Sequence, residues 1–154
     1  MNAFVTAGAG FLLAVLWFDL MFDVQARQGT EGPGRPRQVP EEELASIAAY
    51  YRRVTTDARP MNRLIAMAMV ATLAAIVVEI VRGAGPDWLP WASLALAAAP
   101  IGLAGTRTVP AAVRLGTRRD DPERQGRLAR RVLAEHVFCF ASIACLIGVQ
   151  LGWG

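Results

Sequence analysis

The chain has 154 residues, of which 54% are hydrophobic and 19% are charged, with a formal net charge of +3. Soluble proteins carry about 45–50% apolar and about 25% charged residues, so this composition argues against a soluble domain. The pI near 9.5 raises nucleic acid as a partner, but membrane topology and anionic lipid head groups explain the basic residues more simply. We therefore expect a lipid bilayer as the partner and no nucleic acid.

Four apolar segments are each long enough to cross a membrane as a helix. A hydrocarbon core about 30 Å thick needs about 20 helical residues, and only a helix satisfies the backbone of a single segment in lipid. We expect an all-α polytopic membrane protein, a single-domain bundle of four transmembrane helices. The crossings are expected at residues 3–22, 64–81, 88–105 and 132–153.

The basic residues, all arginines, predict the orientation of the chain. Seven lie in the loop 24–60 or at the entry to the second crossing, and eight lie in the loop 106–131, whereas only Arg82 falls on the other side. Loops rich in arginine stay in the cytoplasm. We therefore expect a multi-pass protein of the bacterial inner membrane with both termini outside.

The first loop contains a short amphipathic cytoplasmic helix. Pro40 is followed by three glutamates, as at a helix start, and apolar residues then recur at helical spacing to about Asp57. The tyrosines and arginines of this helix suit the head-group layer or a dock against the end of the bundle. We favour a solvated interfacial helix over a charged lid above a site.

Small residues in the third and fourth segments indicate where helices can pack closely, either inside the bundle or against a partner. Residues 95–105 are almost all small, and Ala144, Gly148 and Gly152 form a stripe in the last segment. Small residues let helices approach closely in lipid. We expect these stripes to seal the bundle internally, and a homo-oligomer or a larger membrane complex is the alternative.

Ionisable residues at membrane depth are the candidates for chemistry, because they are costly there and need partners. Asp19 and Asp23 lie four residues apart, on one face of the first helix. Glu79, near the other end of the second helix, can reach water or Arg82 and is a poor candidate. The topology brings the following polar residues to the level of the two aspartates: Asn62, Arg63, Arg107, Glu135 and His136.

Two interpretations of this layer remain open. In the first, the aspartates pair with Arg63 or Arg107, and Glu135 pairs with Arg131, so that the layer only fixes the helices. In the second, His136 acts as a base or proton relay, because imidazole titrates near neutral pH and a neighbouring carboxylate can orient its ring.

A metal site is the weakest version, because the chain has no Glu-x-x-His or His-x-x-x-His spacing. We expect neither a metal nor a cofactor. The catalytic candidates are Asp19, His136 and Asp23. The binding candidates are Arg63, Arg107, Glu135, Trp17 and Phe140.

Three short stretches carry a family pattern: Thr108-Val109-Pro110, Arg114-Leu115 and residues 128–136. Together with the order of the crossings, they resemble the anthrone oxygenase-like family of small bacterial and fungal membrane proteins. The chain has Pro110-Ala111-Ala112 where that family has a Pro-x-Asn pattern, so the asparagine is missing, and it also lacks the tryptophan near the histidine. The resemblance implies a four-helix bundle and cofactor-independent oxidation of an activated polycyclic phenol, and it carries over His136 alone.

Three functions from different classes follow. The first is an oxygenase-like oxidoreductase that uses His136 and Asp19 on a small apolar aromatic substrate entering from the lipid, with aromatic neighbours such as Trp17 and Phe140. The second is a non-enzymatic accessory or scaffold subunit of a membrane complex. The third is a transporter or channel subunit, which we disfavour because no interrupted helix pair or inverted repeat is visible.

Overall fold

The computed structural model describes residues 2–27, 30–32, 35–83 and 86–153. One 3₁₀ turn, Val24–Arg27, and two π-helical turns, Arg53–Asp57 and Ala104–Thr108, continue the α-helices that end at Asp23, Arg52 and Leu103. The strands β1 (Thr30–Gly32) and β2 (Arg35–Gln38) pair antiparallel as a short hairpin. The α-helices are α1 (Asn2–Asp23), α2 (Glu41–Arg52), α3 (Arg59–Arg82), α4 (Trp88–Leu103), α5 (Val109–Thr117) and α6 (Pro122–Trp153).

Four helical stretches are long and apolar enough to cross a membrane. They are Ala3–Arg27, Pro60–Arg82, Trp88–Thr117 and Pro122–Trp153. The chain is therefore a multi-pass membrane protein, and the predicted class, an all-α bundle of four helices, is confirmed. The loop expected at 106–131 is largely helical, because α5 and the first residues of α6 occupy it.

The four long helices form a ring in which each packs against two neighbours. Helix α1 contacts α3 and α6, and α4 contacts the same two helices from the opposite side. Apolar residues at helical spacing on the inner faces make the core of the ring. That core consists of Val5, Ala9, Leu12, Ile76, Ala97, Ile143 and Leu146.

A second core lies at one end of the ring, where α2 and α5 pack against α6. We call this end, formed by α2, α5 and residues 122–131, the arginine-rich end. Its buried apolar residues are Ala26, Val39, Leu44, Ile47, Tyr51, Ala111, Ala112, Leu115, Ala129 and Val132.

Helix α2 is docked on the end of the bundle, which is one of the two positions expected for it from the sequence. Leu44, Ile47, Ala48 and Tyr51 are all buried. Their spacing makes one apolar stripe, and removing that stripe from water stabilises the docked position. An ion pair between Arg118 and Glu41 also joins the end of α5 to the start of α2.

Two glycines, neither of them in the predicted stripes, lie where helices approach each other closely. A Cβ atom on Gly8 would overlap the hydroxyl of Thr72, and one on Gly116 would lie 2.8 Å from the backbone nitrogen of Arg52. By contrast, a Cβ atom on Gly148 or Gly152 would meet nothing within 4 Å. The expectation that this stripe of α6 seals the bundle internally is therefore wrong, because the two glycines face outward.

Gly116 tests the docking of α2. We expect Gly116→Ala to lower the free energy of unfolding by about 1–3 kcal/mol, because the new methyl group must displace the backbone of α2. The matched control is Gly148→Ala, whose methyl group enters open space and which should be neutral or slightly stabilising through helix propensity. Thermal unfolding of both variants in the same detergent measures the difference, and equal stability would contradict the close α2–α5 contact.

Candidate functional site

A set of buried, hydrogen-bonded polar side chains joins α1, α2 and α6 at the arginine-rich end. His136 Nδ1 lies 2.6 Å from Asp23 Oδ2, and the hydroxyl of Tyr51 donates to Asp23 Oδ1 over 2.6 Å. All three side chains are buried, with Asp23 only 1% exposed. An ionised carboxylate can only accept hydrogen bonds. When the imidazole is neutral, Asp23 therefore keeps its proton on Nδ1, and Nε2 then carries the free lone pair.

A second carboxylate faces the other edge of the same ring. Asp19 Oδ2 is 3.9 Å from His136 Nε2, and Asp19 Oδ1 accepts a hydrogen bond of 2.7 Å from Tyr50. The ring of Tyr50 stacks on Phe22 with a centroid distance of 4.0 Å. Two aspartates one helical turn apart on α1 thus take hydrogen bonds from two adjacent tyrosines of α2. We call Asp19, Asp23, Tyr50, Tyr51 and His136 the histidine cluster.

The histidine cluster forms one corner of a large cavity between the helices. The cavity has a volume of about 660 Å³, which lies within the range of about 300–1,000 Å³ typical of small-molecule sites. Asp19, Tyr50, Tyr51 and His136 line this corner, and the rest of the wall is mainly apolar. The apolar lining includes Phe11, Val15, Leu16, Ile65, Met69, Ile101, Ala112 and Ile143.

Several lining residues of the cavity are also exposed on the surface of the bundle. Phe18 is 60% exposed, Met61 46%, Val109 50% and Val113 39%. All four are apolar, so the cavity borders an apolar surface rather than a polar one. Near Met61, the side-chain amide of Asn62 donates to the carbonyl oxygen of Thr55 over 2.8 Å and fixes the turn that follows α2 beside the cavity.

Both tyrosines of the cluster are held in the protonated form. Burial is the largest cause that raises the pKa of Tyr50 and that of Tyr51 above the usual value of 10.0, and the nearby carboxylates raise both further. Each phenol therefore remains a hydrogen-bond donor to its aspartate throughout the physiological pH range.

The structure brings together only part of the site predicted from the sequence. Asp19, Asp23 and His136 meet, but within the described residues no ion pair or hydrogen bond joins the aspartates to Arg63 or Arg107. Both arginines are exposed, consistent with long side chains that keep their charged ends in water. The docking of α2 puts tyrosines where arginines were expected.

Three further predicted residues lie outside the histidine cluster. Glu135 accepts hydrogen bonds of 2.8 Å from Arg131 and from Thr108, so the predicted pair with Arg131 is present. Trp17 and Phe140 form a tilted ring contact with centroids 6.1 Å apart. Trp17 is 58% exposed and neither ring lines the cavity, so this aromatic pair faces outward.

Sequence reasoning missed the two tyrosines and a second polar cluster. Tyr50 and Tyr51 were assigned to the head-group layer or to docking, although two neighbouring phenols on a docked amphipathic helix are a usable signal for a site. Glu79 is only 2% exposed, so the expectation that it reaches water is wrong. Its carboxylate packs inside the bundle beside Gln150, whose amide nitrogen donates to the hydroxyl of Ser93 over 2.9 Å.

The fold and the cavity define the class of this protein as a multi-pass four-helix membrane protein with a buried histidine–carboxylate cluster. Comparison with known proteins goes no further, since no family model, no curated protein and no solved structure matches the chain. Among the described residues, no group of three or more His, Cys, Asp or Glu side chains is arranged to hold a metal ion.

The protonated tyrosines give a pH prediction. The sequence has two tyrosines, so ultraviolet absorbance of tyrosinate reports Tyr50 and Tyr51 alone. We expect no tyrosinate in the folded protein at pH values where unfolded tyrosines, with a pKa of about 10, ionise. Because the folded-state pKa of the tyrosines is raised, their protonated form contributes fully to the free energy of unfolding below the unfolded pKa. This contribution is lost as the pH rises above that value. Tyr50→Phe isolates the signal of Tyr51, and tyrosinate at pH 10 in folded protein would contradict the burial.

The orientation of the imidazole can be tested because His136 is the sole histidine. In protein labelled with ¹⁵N-histidine, NMR should show the neutral ring protonated on Nδ1, as the bond to Asp23 requires. Asp23→Asn should remove this preference, since a carboxamide can donate as well as accept. Glu123→Gln, at an exposed ion pair with Arg127, is the control. An unchanged tautomer in Asp23→Asn would show that Asp23 does not orient the ring.

Proposed function

We propose that the protein is an integral inner-membrane oxidoreductase of the oxygenase type, acting on a small apolar aromatic substrate. The observation that carries the proposal is the 660 Å³ apolar cavity with His136, Asp19 and two tyrosines at one corner. Small-molecule sites commonly combine an apolar wall with a few convergent polar groups. The resemblance to the anthrone oxygenase-like family supports the same class of substrate, an activated polycyclic phenol.

The free Nε2 of His136 is the general base in this proposal. It takes the acidic proton of the substrate and leaves an electron-rich anion in the cavity. Dioxygen, the co-substrate, accepts electrons from this anion and forms a bond to its carbon. Loss of water then converts a ring CH₂ group and O₂ into a carbonyl group and H₂O, which balances atoms and electrons without a bound cofactor.

Asp23, Tyr51 and Asp19 support His136 in this mechanism. Asp23 orients the imidazole and stabilises the imidazolium that forms when Nε2 takes the proton, and Tyr51 holds Asp23 in place through a bond of 2.6 Å. Asp19 lies 3.9 Å from Nε2 and adds a negative charge that favours the imidazolium. General-base catalysis by one such residue contributes about 10²–10⁴-fold to a rate.

The apolar residues at the border of the cavity support entry of the substrate from the lipid. Phe18, Met61, Val109 and Val113 are exposed there, and an apolar aromatic molecule concentrates in the bilayer. The arginine-rich end faces the cytoplasm in this proposal, because arginine-rich segments are retained on that side. Both termini then lie outside the cytoplasm.

A scaffold subunit of a membrane complex is the second candidate function. Gly148 and Gly152 face open space on α6, and outward small residues allow another transmembrane helix to approach closely. In that case the histidine cluster stabilises the fold, and neutralising Asp19 reduces assembly rather than turnover.

Oxygen consumption by the protein in lipid nanodiscs tests the proposed reaction on a panel of tricyclic phenols and anthrones. We expect His136→Ala and Asp19→Asn each to reduce turnover by at least about 10²-fold, while the yield of folded protein stays unchanged. Glu123→Gln, far from the cavity, should keep the wild-type rate.

Two results would count against the enzyme. Full turnover in His136→Ala would remove the proposed base. Equal loss of folded protein in His136→Ala and Asp19→Asn would instead assign the histidine cluster to structure. Native mass spectrometry of the same preparations adds a direct readout, since a small aromatic ligand should bind the wild type and be absent from both variants.

A further inference from the structure

A second polar cluster lies at the end of the bundle away from the histidine cluster. It joins Glu79 of α3, Ser93 of α4 and Gln150 of α6, which are 2%, 0% and 2% exposed. The amide nitrogen of Gln150 donates to Ser93 Oγ over 2.9 Å and lies 3.5 Å from Glu79 Oε2. Three of the four membrane helices therefore each contribute one oxygen-bearing side chain to the same buried position.

Two oxygen atoms of this cluster are buried without a partner. Glu79 Oε1 and Gln150 Oε1 are both shielded from solvent and neither has a hydrogen bond. A buried carboxylate with one long hydrogen bond is strongly destabilising unless something neutralises it. Buried polar atoms that lack protein partners commonly contact a bound water molecule or an ion. The unpartnered oxygens therefore point to a bound ligand.

The donor set indicates what kind of ligand fits. The two unpartnered atoms are a carboxylate oxygen and a carboxamide oxygen, both of which hard cations prefer as ligands. The hydrogen bond from Gln150 to Ser93 Oγ fixes the orientation of that carboxamide. The cluster has one carboxylate, so a monovalent cation gives a neutral site, whereas a divalent ion would leave a net positive charge in the interior. The other charged side chains at this end, Arg82 and Asp87, are exposed.

We propose that Glu79, Ser93 and Gln150 form a binding site for a monovalent cation of the sodium type. The bound ion links α3, α4 and α6 at the end of the bundle where the histidine cluster is absent. The site is separate from the cavity, whose lining includes none of these three residues. This inference is therefore independent of the proposed oxidoreductase activity.

Direct binding of radioactive sodium to the protein in lipid nanodiscs tests the site. Choline chloride replaces sodium chloride at constant ionic strength, and potassium and lithium chloride serve as competing salts. We expect saturable binding of one sodium ion per chain and a parallel rise in the thermal unfolding temperature, since a ligand that binds only the folded state stabilises it.

Matched variants distinguish a bound cation from a bound water molecule or a proton. Glu79→Gln should abolish binding and the thermal response to sodium, while Glu135→Gln, a carboxylate paired with Arg131 elsewhere on α6, should retain both. Ser93→Ala keeps the carboxylate, so it remains informative if Glu79→Gln fails to fold, and it should weaken sodium binding by at least about tenfold. Arg82→Gln should leave sodium binding unchanged.

Three outcomes would overturn the proposal. The first is the absence of sodium binding to the wild type, which would leave water as the partner of these oxygens. The second is unchanged binding in Glu79→Gln. The third is a stability that depends on pH through Glu79 but not on any cation, which would assign the cluster to a proton alone.

Discussion

The arginine-rich end depends on the hydrogen bonds that the buried carboxylate of Asp23 accepts. The carboxylate accepts one hydrogen bond of 2.6 Å from His136 on α6 and another of 2.6 Å from Tyr51 on α2. An isolated charge at this depth would be strongly destabilising, and the two short hydrogen bonds offset that cost. The same two hydrogen bonds connect α2, which lies at the end of the ring, to the membrane helices α1 and α6. One side chain thus contributes both to the packing of α2 and to the geometry of the imidazole.

Helix α2 is part of the candidate site although it is too short to cross a membrane. Its apolar stripe packs on α5 and α6, its backbone passes against Gly116, and its two tyrosines reach the aspartates of α1. The α2–α5 contact and the corner of the cavity are therefore joined by one continuous helix.

The sequence predicts those features of the protein that the lipid bilayer, acting as the solvent, imposes. Apolar length gives four membrane helices, because lipid offers no hydrogen bonds to an open backbone, and the layer containing Asp19, Asp23 and His136 follows from the alternating directions of those helices. The hydrogen-bond partners of the residues in this layer cannot be predicted in the same way. They depend on how α2 docks, and the apolar stripe of α2 fits a head-group layer as well as a protein groove.

Two other predictions, for Glu79 and for the glycines of α6, are wrong because the sequence does not determine how a membrane helix is rotated about its axis. The burial of Glu79 depends on the rotation of α3 about its axis, which brings this residue toward Ser93 and Gln150 rather than toward water. Likewise, Gly148 and Gly152 have a spacing that suits close contact, but the rotation of α6 turns them outward. A helix that is apolar on nearly all sides carries little periodic signal for its rotation, so membrane helices hide this information more than soluble ones do.

The length of α6 determines how deep the imidazole lies. Its 32 residues correspond to about 48 Å of helix, more than the hydrocarbon core of about 30 Å requires. His136 is 17 residues from Trp153, or about 26 Å along the axis. Tryptophan rings prefer the boundary of the hydrocarbon layer, and with Trp153 at one boundary the ring of His136 lies close to the opposite one. A molecule dissolved among the acyl chains then meets the imidazole at the edge of the hydrocarbon layer rather than at its centre.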